Sequence, residues 1–404
     1  MENIRKIEND IYRIGASDRK LQIFEATYPI SNGMAYNSYF IDDEKTAIID
    51  TVDKHCAKQF FENVKAVLKS RKLDYLIVQH MEPDHAALIC DLVEKYPETT
   101  VVCSQKASDM LNQFFCLENF ANFNIVKEGD KLSLGKHQLT FVNAPMVHWP
   151  EVIVTYDETS KTLFSADAFG SFGAINGNIT DEEFEIGEEY INEARRYYTN
   201  IVGKYGPQVQ GLLKKVFGLE IKTICPLHGL IIKKNIGLFI EKYDKWSKYE
   251  PEENSVVIAY SSVYGNTENA VDVLASKLAE KGVKNIKMFD TSMTHYSFIL
   301  AEMFKASHIV LATTTYNMGI FVTMEHLINN IISHNLKNRK FAVIENGSWV
   351  SCCGKLVKEN LEKLAGSEIL NEEFLTIKSS LTSSQNDDLD KLSDVIVESL
   401  NRRI

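Results

Sequence analysis

Short runs in which apolar side chains dominate or alternate with polar ones divide the chain into two stretches of different rhythm. In the first, TAIIDTV (46–52), YLIVQH (75–80), TTVVCS (99–104), HQLTFVNA (137–144) and EVIVTYD (151–157) have the length, β-branched content and flanking turn residues of strands. Helical spacing marks CAKQFFENVKAVLKS (56–70) and the stretch 181–203. The order is α/β, with strands dominating.

KYDKWSKYEPEEN (242–254) is polar, contains Pro251 and has no periodic apolar face, so it reads as a linker between domains spanning 1–250 and 254–404. Beyond it the alternation is strict. SVVIAY precedes a helix over 267–281, NIKMFD one over 297–306, HIVLATT one over 322–334, KFAVIENG one over 354–365, and EEFLTIKS one over 385–401. Five strands alternating with five helices predict a doubly wound parallel sheet.

A chain of 404 residues is long for one core and suits two. The net charge of −11 and the lack of a basic block argue against nucleic acid or a membrane surface as partner. No stretch has signal-peptide or membrane-spanning character, which gives a cytoplasmic expectation. The seven cysteines (56, 90, 103, 116, 225, 352 and 353) are scattered, without a C-x-x-C pair, and are expected to be reduced thiols.

Candidate chemistry concentrates in His80-Met81-Glu82-Pro83-Asp84-His85, directly after the strand YLIVQ. Four metal-competent side chains in six residues converge if the turn is non-helical, and Pro83 is read as enforcing that. His148 in APMVHWP, Asp167 after LFSA and His228 after TICPL stand at further strand ends. A lone histidine at such a place is ordinarily a satisfied core residue. Three such residues beside the first motif are better explained by one shared metal site, built of seven side chains from six strand ends.

HxExDH followed by His148, Asp167 and His228 at these intervals resembles the metallo-β-lactamase-fold domain of the flavodiiron proteins. Hydrolases of that fold carry His where this chain has Glu82. A carboxylate there favours iron over zinc, because hard oxygen donors stabilise the higher oxidation state. The resemblance implies that His80, Glu82 and His148 hold one iron, Asp84 and His228 the other, and that Asp167 bridges. His85 belongs to the motif without always coordinating. Tyr28 and Tyr197 are candidates for groups beside the substrate pocket, the alternative being tyrosines packed in an ordinary core.

In the second stretch, Ser261-Ser262-Val263-Tyr264-Gly265-Asn266-Thr267 runs from a strand into a helix without any Lys or Arg. Backbone N–H groups and short hydroxyls at a helix N-terminus form a phosphate cradle. Neither GxGxxG nor GK[ST] is present. The loop resembles that of flavodoxin, which holds FMN. Thr315-Tyr316-Asn317-Met318-Gly319 and Gly347-Ser348-Trp349 follow the next strands, and Tyr316 and Trp349 suit a planar ring. Thr314 stands where many relatives have proline, and the third loop is less glycine-rich than theirs. Cys352 and Cys353 lie nearby.

Together the resemblance implies an αβ/βα sandwich of metallo-β-lactamase type followed by a flavodoxin-like five-stranded parallel sheet. It implies an oxidoreductase with two iron ions and FMN that reduces dioxygen to water, nitric oxide to nitrous oxide, or both. A head-to-tail homodimer, or a dimer of dimers, would bring one subunit's flavin to the other's irons. Lacking rubredoxin-type cysteines, the chain would take electrons from an external donor, a rubredoxin or a reduced deazaflavin. The alternative is a di-zinc hydrolase joined to a flavodoxin-like domain.

Overall fold

The computed structural model of the chain describes residues 1–115 and 122–402; Cys116 lies outside them. The chain forms two compact units, residues 1–198 with 205–244, and 199–204 with 245–404.

Two large sheets, with two small two-stranded ones beside them, build the first unit. One has seven strands in the order Arg5–Lys6, Ile11–Arg13, Tyr39–Asp42, Thr46–Ile49, Tyr75–Val78, Thr100–Cys103 and Phe123–Ile125. Pairing is antiparallel as far as Thr46–Ile49 and parallel beyond it. The other has five strands, Lys131–Ser133, Gln138–Asn143, Ile153–Asp157, Thr162–Phe164 and Thr223–Cys225, with only the last pair parallel. Because side chains alternate across a strand, Tyr39, Ile41, Ala47, Ile49, Ile77 and Val102 meet Leu139, Phe141, Ile153, Phe164 and Cys225 in one core between the sheets. Phe40, Ile48, Leu76 and Val101 are equally buried but outside that cluster, as expected where helices cover the opposite face. The result is the expected αβ/βα sandwich.

The second unit orders its strands Ile286–Asp290, Glu253–Tyr260, Ala306–Tyr316 and Lys340–Asn346, all parallel. The fifth place is shared by Glu368–Ile369 and Leu375–Ile377. This is a flavodoxin-like strand order. Val256, Ile258, Val310, Ala312, Ala342 and Ile344 pack with the helices Asn266–Glu280 and Asn386–Asn401. The helix Tyr296–Lys305 lies against the central strands, as does Cys353–Leu361. No helix among the described residues is long and apolar enough to cross a membrane.

Three expectations are corrected. The helix expected over 181–203 begins at Glu188 and gives way after Tyr197 to a wider π turn. Residues before it are held otherwise, because Asp181 accepts hydrogen bonds from the backbone amides of Lys233, Lys234 and Asn235. The boundary between the units falls inside the stretch 242–254, after Asp244, but the stretch is not irregular: the helix Ile236–Ser247 runs into it and Trp246 and Tyr249 are buried. Finally, Pro83 does not enforce a non-helical turn. It occupies the first position of a one-turn helix, Pro83–Ala86, where its fixed φ is preorganised and its missing N–H costs nothing.

His308 generates a stability prediction. It is buried between the Ser307 and Ser399 hydroxyls, at 2.8 and 3.0 Å, and burial, then the Lys340 charge, lowers its pKa to about 4. The unfolded chain therefore takes up a proton that the folded one refuses between about pH 6.5 and pH 4. Stability falls as pH drops through that window. In urea titrations at pH 7 and pH 5, His308→Gln should lose less stability on acidification than the unaltered chain; equal losses would contradict the assignment.

Candidate functional site

The turns after four strand ends converge, not six. His80 follows Tyr75–Val78, and the helical turn begun by Pro83 presents Asp84 and His85 on a different bearing from His80 and Glu82. His148 lies in the turn after Gln138–Asn143, Asp167 after Thr162–Phe164, and His228 after Thr223–Cys225. All seven expected side chains come together, as two adjoining groups: His80, Glu82, His148 and Asp167, and Asp84, His85 and His228.

Distances define the arrangement. Glu82 Oε2 lies 3.2 Å from His80 Nε2 and 3.0 Å from His148 Nε2. Asp167 Oδ2 is 3.1 Å from His148 Nε2, while its Oδ1 faces the second group, 3.2 Å from His85 Nε2 and 3.8 Å from His228 Nε2. Asp84 Oδ2 stands 3.3 and 3.2 Å from those same two nitrogens, which are 3.0 Å apart. Asp167 thus offers one oxygen to each group.

Donor chemistry and burial both fit metal ions here. The two Asp84 oxygens and Asp167 Oδ1 are buried without a hydrogen-bond donor, a costly condition that a coordinated cation relieves. Burial opposes charge on His148, yet hydrogen bonds to Asp167 and Glu82 carry it up to about 9. Despite the same burial, the His148 and His80 hydrogen bonds hold Glu82 far below the ordinary carboxylate range.

An outer layer that sequence reasoning missed aims these ligands. The Glu151 carboxylate, 2% exposed, takes His80 Nδ1 at 2.8 Å and the Met81 amide at 2.8 Å, which turns His80 Nε2 toward the centre. Its signal was an acid opening the apolar run EVIVTYD. His228 Nδ1 meets the Ala35 carbonyl at 2.8 Å, and the Asn37 amide donates to the carbonyls of Pro226 and Gly229 on either side of it. Asp50 accepts from the backbone of Gln79 and His80, and Thr51 Oγ1 donates to the His85 carbonyl. Tyr197 is fully buried, its ring centre 5.4 Å from that of His228 and its hydroxyl without a hydrogen-bond partner. Tyr28 packs on Phe172, which also meets Tyr197.

In the second unit a cavity of about 370 Å³ opens at the strand ends. Ser262, Val263, Tyr264, Asn266 and Thr267 line it from the first loop, Thr315, Tyr316 and Asn317 from the second, and Ser348 and Trp349 from the third. Ser261 does not reach it; its hydroxyl is buried against Thr313 at 2.8 Å. Gly265, Gly319 and Gly347 shape the walls without lining them. Gly265 sits at φ +85°, a left-handed conformation at the helix N-cap that disfavours a side chain. A Cβ on Gly347 would meet the Val350 carbonyl oxygen at 2.1 Å. Thr314, Met318, Asn346, Val350 and Ser379 also line the cavity, and no Lys or Arg does. No side chain caps the helix that starts at Asn266, so its first amides face the cradle. The hydroxyls, uncapped amides and aromatic rim fit a flavin phosphate and ring. Cys352 and Cys353, like the other described cysteines, are free thiols.

The fold and site define a metallo-β-lactamase-like unit with two adjoining metal-competent groups, joined to a flavodoxin-like unit. A family model described as ODP family beta lactamase matches residues 34–229. A nitric oxide reductase from Moorella thermoacetica is 32% identical over 375 residues, 92% of each chain. The rubredoxin oxygen:oxidoreductase of Desulfovibrio gigas is 27% identical, with a TM-score of 0.93 covering 98% of both chains. The flavodiiron protein of Giardia intestinalis, at 24% identity, shares the fold with a TM-score of 0.93 over 100% of this chain and 98% of that one. The chain belongs to the flavodiiron proteins, and its named relatives are oxidoreductases.

Because Glu151 fixes the orientation of His80, Glu151→Ala should weaken ferrous-ion affinity by about 10- to 100-fold. A metal-binding titration of the purified variant checks this; unchanged affinity would show that Glu151 only fills space.

Proposed function

We propose that the chain is a flavodiiron reductase that passes electrons from bound FMN to a di-iron centre, where dioxygen is reduced to water or nitric oxide to nitrous oxide. The observation that carries this reading is Asp167, one oxygen toward each of two His/carboxylate groups. His80, Glu82 and His148 would hold one iron, Asp84, His85 and His228 the other, and Asp167 would bridge. When bound, the iron pair supplies two neighbouring electron donors and Lewis-acid stabilisation of developing oxygen charge.

The balance differs with substrate. Dioxygen needs four electrons and four protons to give two waters; two nitric oxides need two electrons and two protons to give nitrous oxide and one water. The protein's own groups handle binding and protons. Glu151 and the Ala35 carbonyl hold His80 and His228 by their Nδ1 atoms, so both Nε2 atoms stay available to metal. Burial keeps the Tyr197 hydroxyl protonated, with the nearby Asp167, Asp84 and Glu82 charges adding to the effect, so it stays a hydrogen-bond donor for the substrate. Phe24 and Tyr36, whose ring centres lie 5.6 and 5.7 Å from that of His228, exclude water on that side. Ser262, Thr267 and the amides after Gly265 would take the FMN phosphate, and Tyr316 and Trp349 the ring. Electrons would come from an external donor, a rubredoxin or a reduced deazaflavin.

The direct test is anaerobic reduction of the iron- and flavin-loaded protein, followed by stopped-flow mixing with each gas. Multiple-turnover reoxidation by at least one gas is expected; a failure with both would overturn the reading. Separately, Gly265→Val should weaken FMN binding about tenfold, the equivalent of ~1–2 kcal/mol of left-handed backbone strain, with iron content unchanged. Unaltered flavin affinity in a flavin-binding titration would remove the loop from the site.

A further inference from the structure

A cavity of the first unit, lined by none of the metal-competent residues, has a charge opposite to that of the chain. It measures about 1000 Å³, and Arg5, Arg13, Arg19, Lys20 and Lys58 line it, against only Asp18 and Glu62. In a protein of net charge −11 this is a local reversal, and it persists when Arg5, which pairs with Glu183, is set aside: four cations then face two carboxylates. The two acids are also occupied: Asp18 accepts from the backbone amides of Lys20 and Leu21, and Glu62 pairs with the amino terminus.

Arg13 carries the argument. It is 3% exposed, no carboxylate pairs with it among the described residues, and Arg5 and Arg19 act on it as like charges. Its Nε donates to Asn37 Oδ1 at 2.6 Å, while its Nη2 is buried with no hydrogen-bond partner. A buried guanidinium without a carboxylate is costly, and burial draws its ionisation down to about 10. Arg19 binds the Ile175 carbonyl and the Asn176 side chain, which pins it at the wall, and Lys20 and Lys58 are exposed and form no ion pair among the described residues. A fixed fork with a free N–H, a second pinned guanidinium and two unpaired ammonium groups form a complement to a doubly or triply charged oxyanion.

We propose that this cavity is a binding site for a small molecule bearing a phosphate group or clustered carboxylates, with Arg13 at its base and Lys20 and Lys58 at its rim. Arg13 is also tied through Asn37 to the carbonyls flanking His228, so the site adjoins the bracing of one metal-competent histidine. The proposal stands whether or not the iron assignment holds, because no cavity residue belongs to either metal-competent group.

The test is calorimetric titration of the iron- and flavin-loaded full-length protein at low ionic strength, with inorganic phosphate and, separately, with citrate. Saturable one-to-one binding of at least one is expected; phosphate alone would identify a phosphorylated ligand, citrate alone a polycarboxylate. Arg13→Lys, which keeps the charge but loses the fork, should weaken that binding about tenfold or more. Since Arg13 also braces the His228 loop, the deciding variant is the exposed pair Lys20→Ala with Lys58→Ala, which leaves the fold intact and should weaken binding several-fold. No binding of either anion at millimolar concentration, or unweakened binding by the double lysine variant, would overturn the proposal.

Discussion

Everything in the first unit answers to one electrostatic constraint: three carboxylates and four imidazoles are crowded into an interior from which water is excluded. His80, His85, Asp167 and His228 have no exposed surface at all. Such a crowd is unfavourable unless positive charge sits among the carboxylates and every ligand is held against collapse. The sandwich meets the second need by delivering the ligands from turns at strand ends, where the rigid core between the sheets fixes their starting points. Glu151, Asn37, Asp50 and Thr51 then fix their directions through hydrogen bonds to ring nitrogens and to the peptides on either side.

The second unit meets a gentler demand. A phosphate cradle asks only for free amides and hydroxyls beyond the carboxyl ends of parallel strands. Accordingly its first loop is held by neutral contacts, Ser261 to Thr313 and Thr267 to Thr314. Tyr264 and Trp349, each 91% exposed, are placed at a rim instead of in a core.

Much of this was legible in the chain because period-two and helical patterns are local. The alternation after residue 254 fixed the helices of the second unit to within a few residues, and the strand before His80 is a plain apolar run while the one before His148 alternates. The failures share a cause: long-range contacts overrode local pattern. Residues 181–187 have helix-compatible spacing, but Asp181 is committed to three amides some fifty positions away. Trp246 and Tyr249 looked like linker residues because nothing in sequence reveals the surface that buries them. Proline breaks a helix in its interior, but at a first helical position it is a starter, and it is this turn that directs Asp84 and His85 to the second group. Glu151 and Asn37 escaped notice because a buried carboxylate or amide that serves a histidine has no spacing rule; only the folded chain brings Glu151 to a residue 71 positions before it.

The central claim is that Asp167 stands between two iron ions. X-ray data collected on both sides of the iron absorption edge, from crystals of anaerobically purified protein, address it directly. The account predicts two iron peaks flanking the Asp167 carboxylate, one beside His80 and His148 and the other beside His85 and His228. A single peak, or signal at the zinc edge alone in protein that retains full reductase turnover, would contradict it.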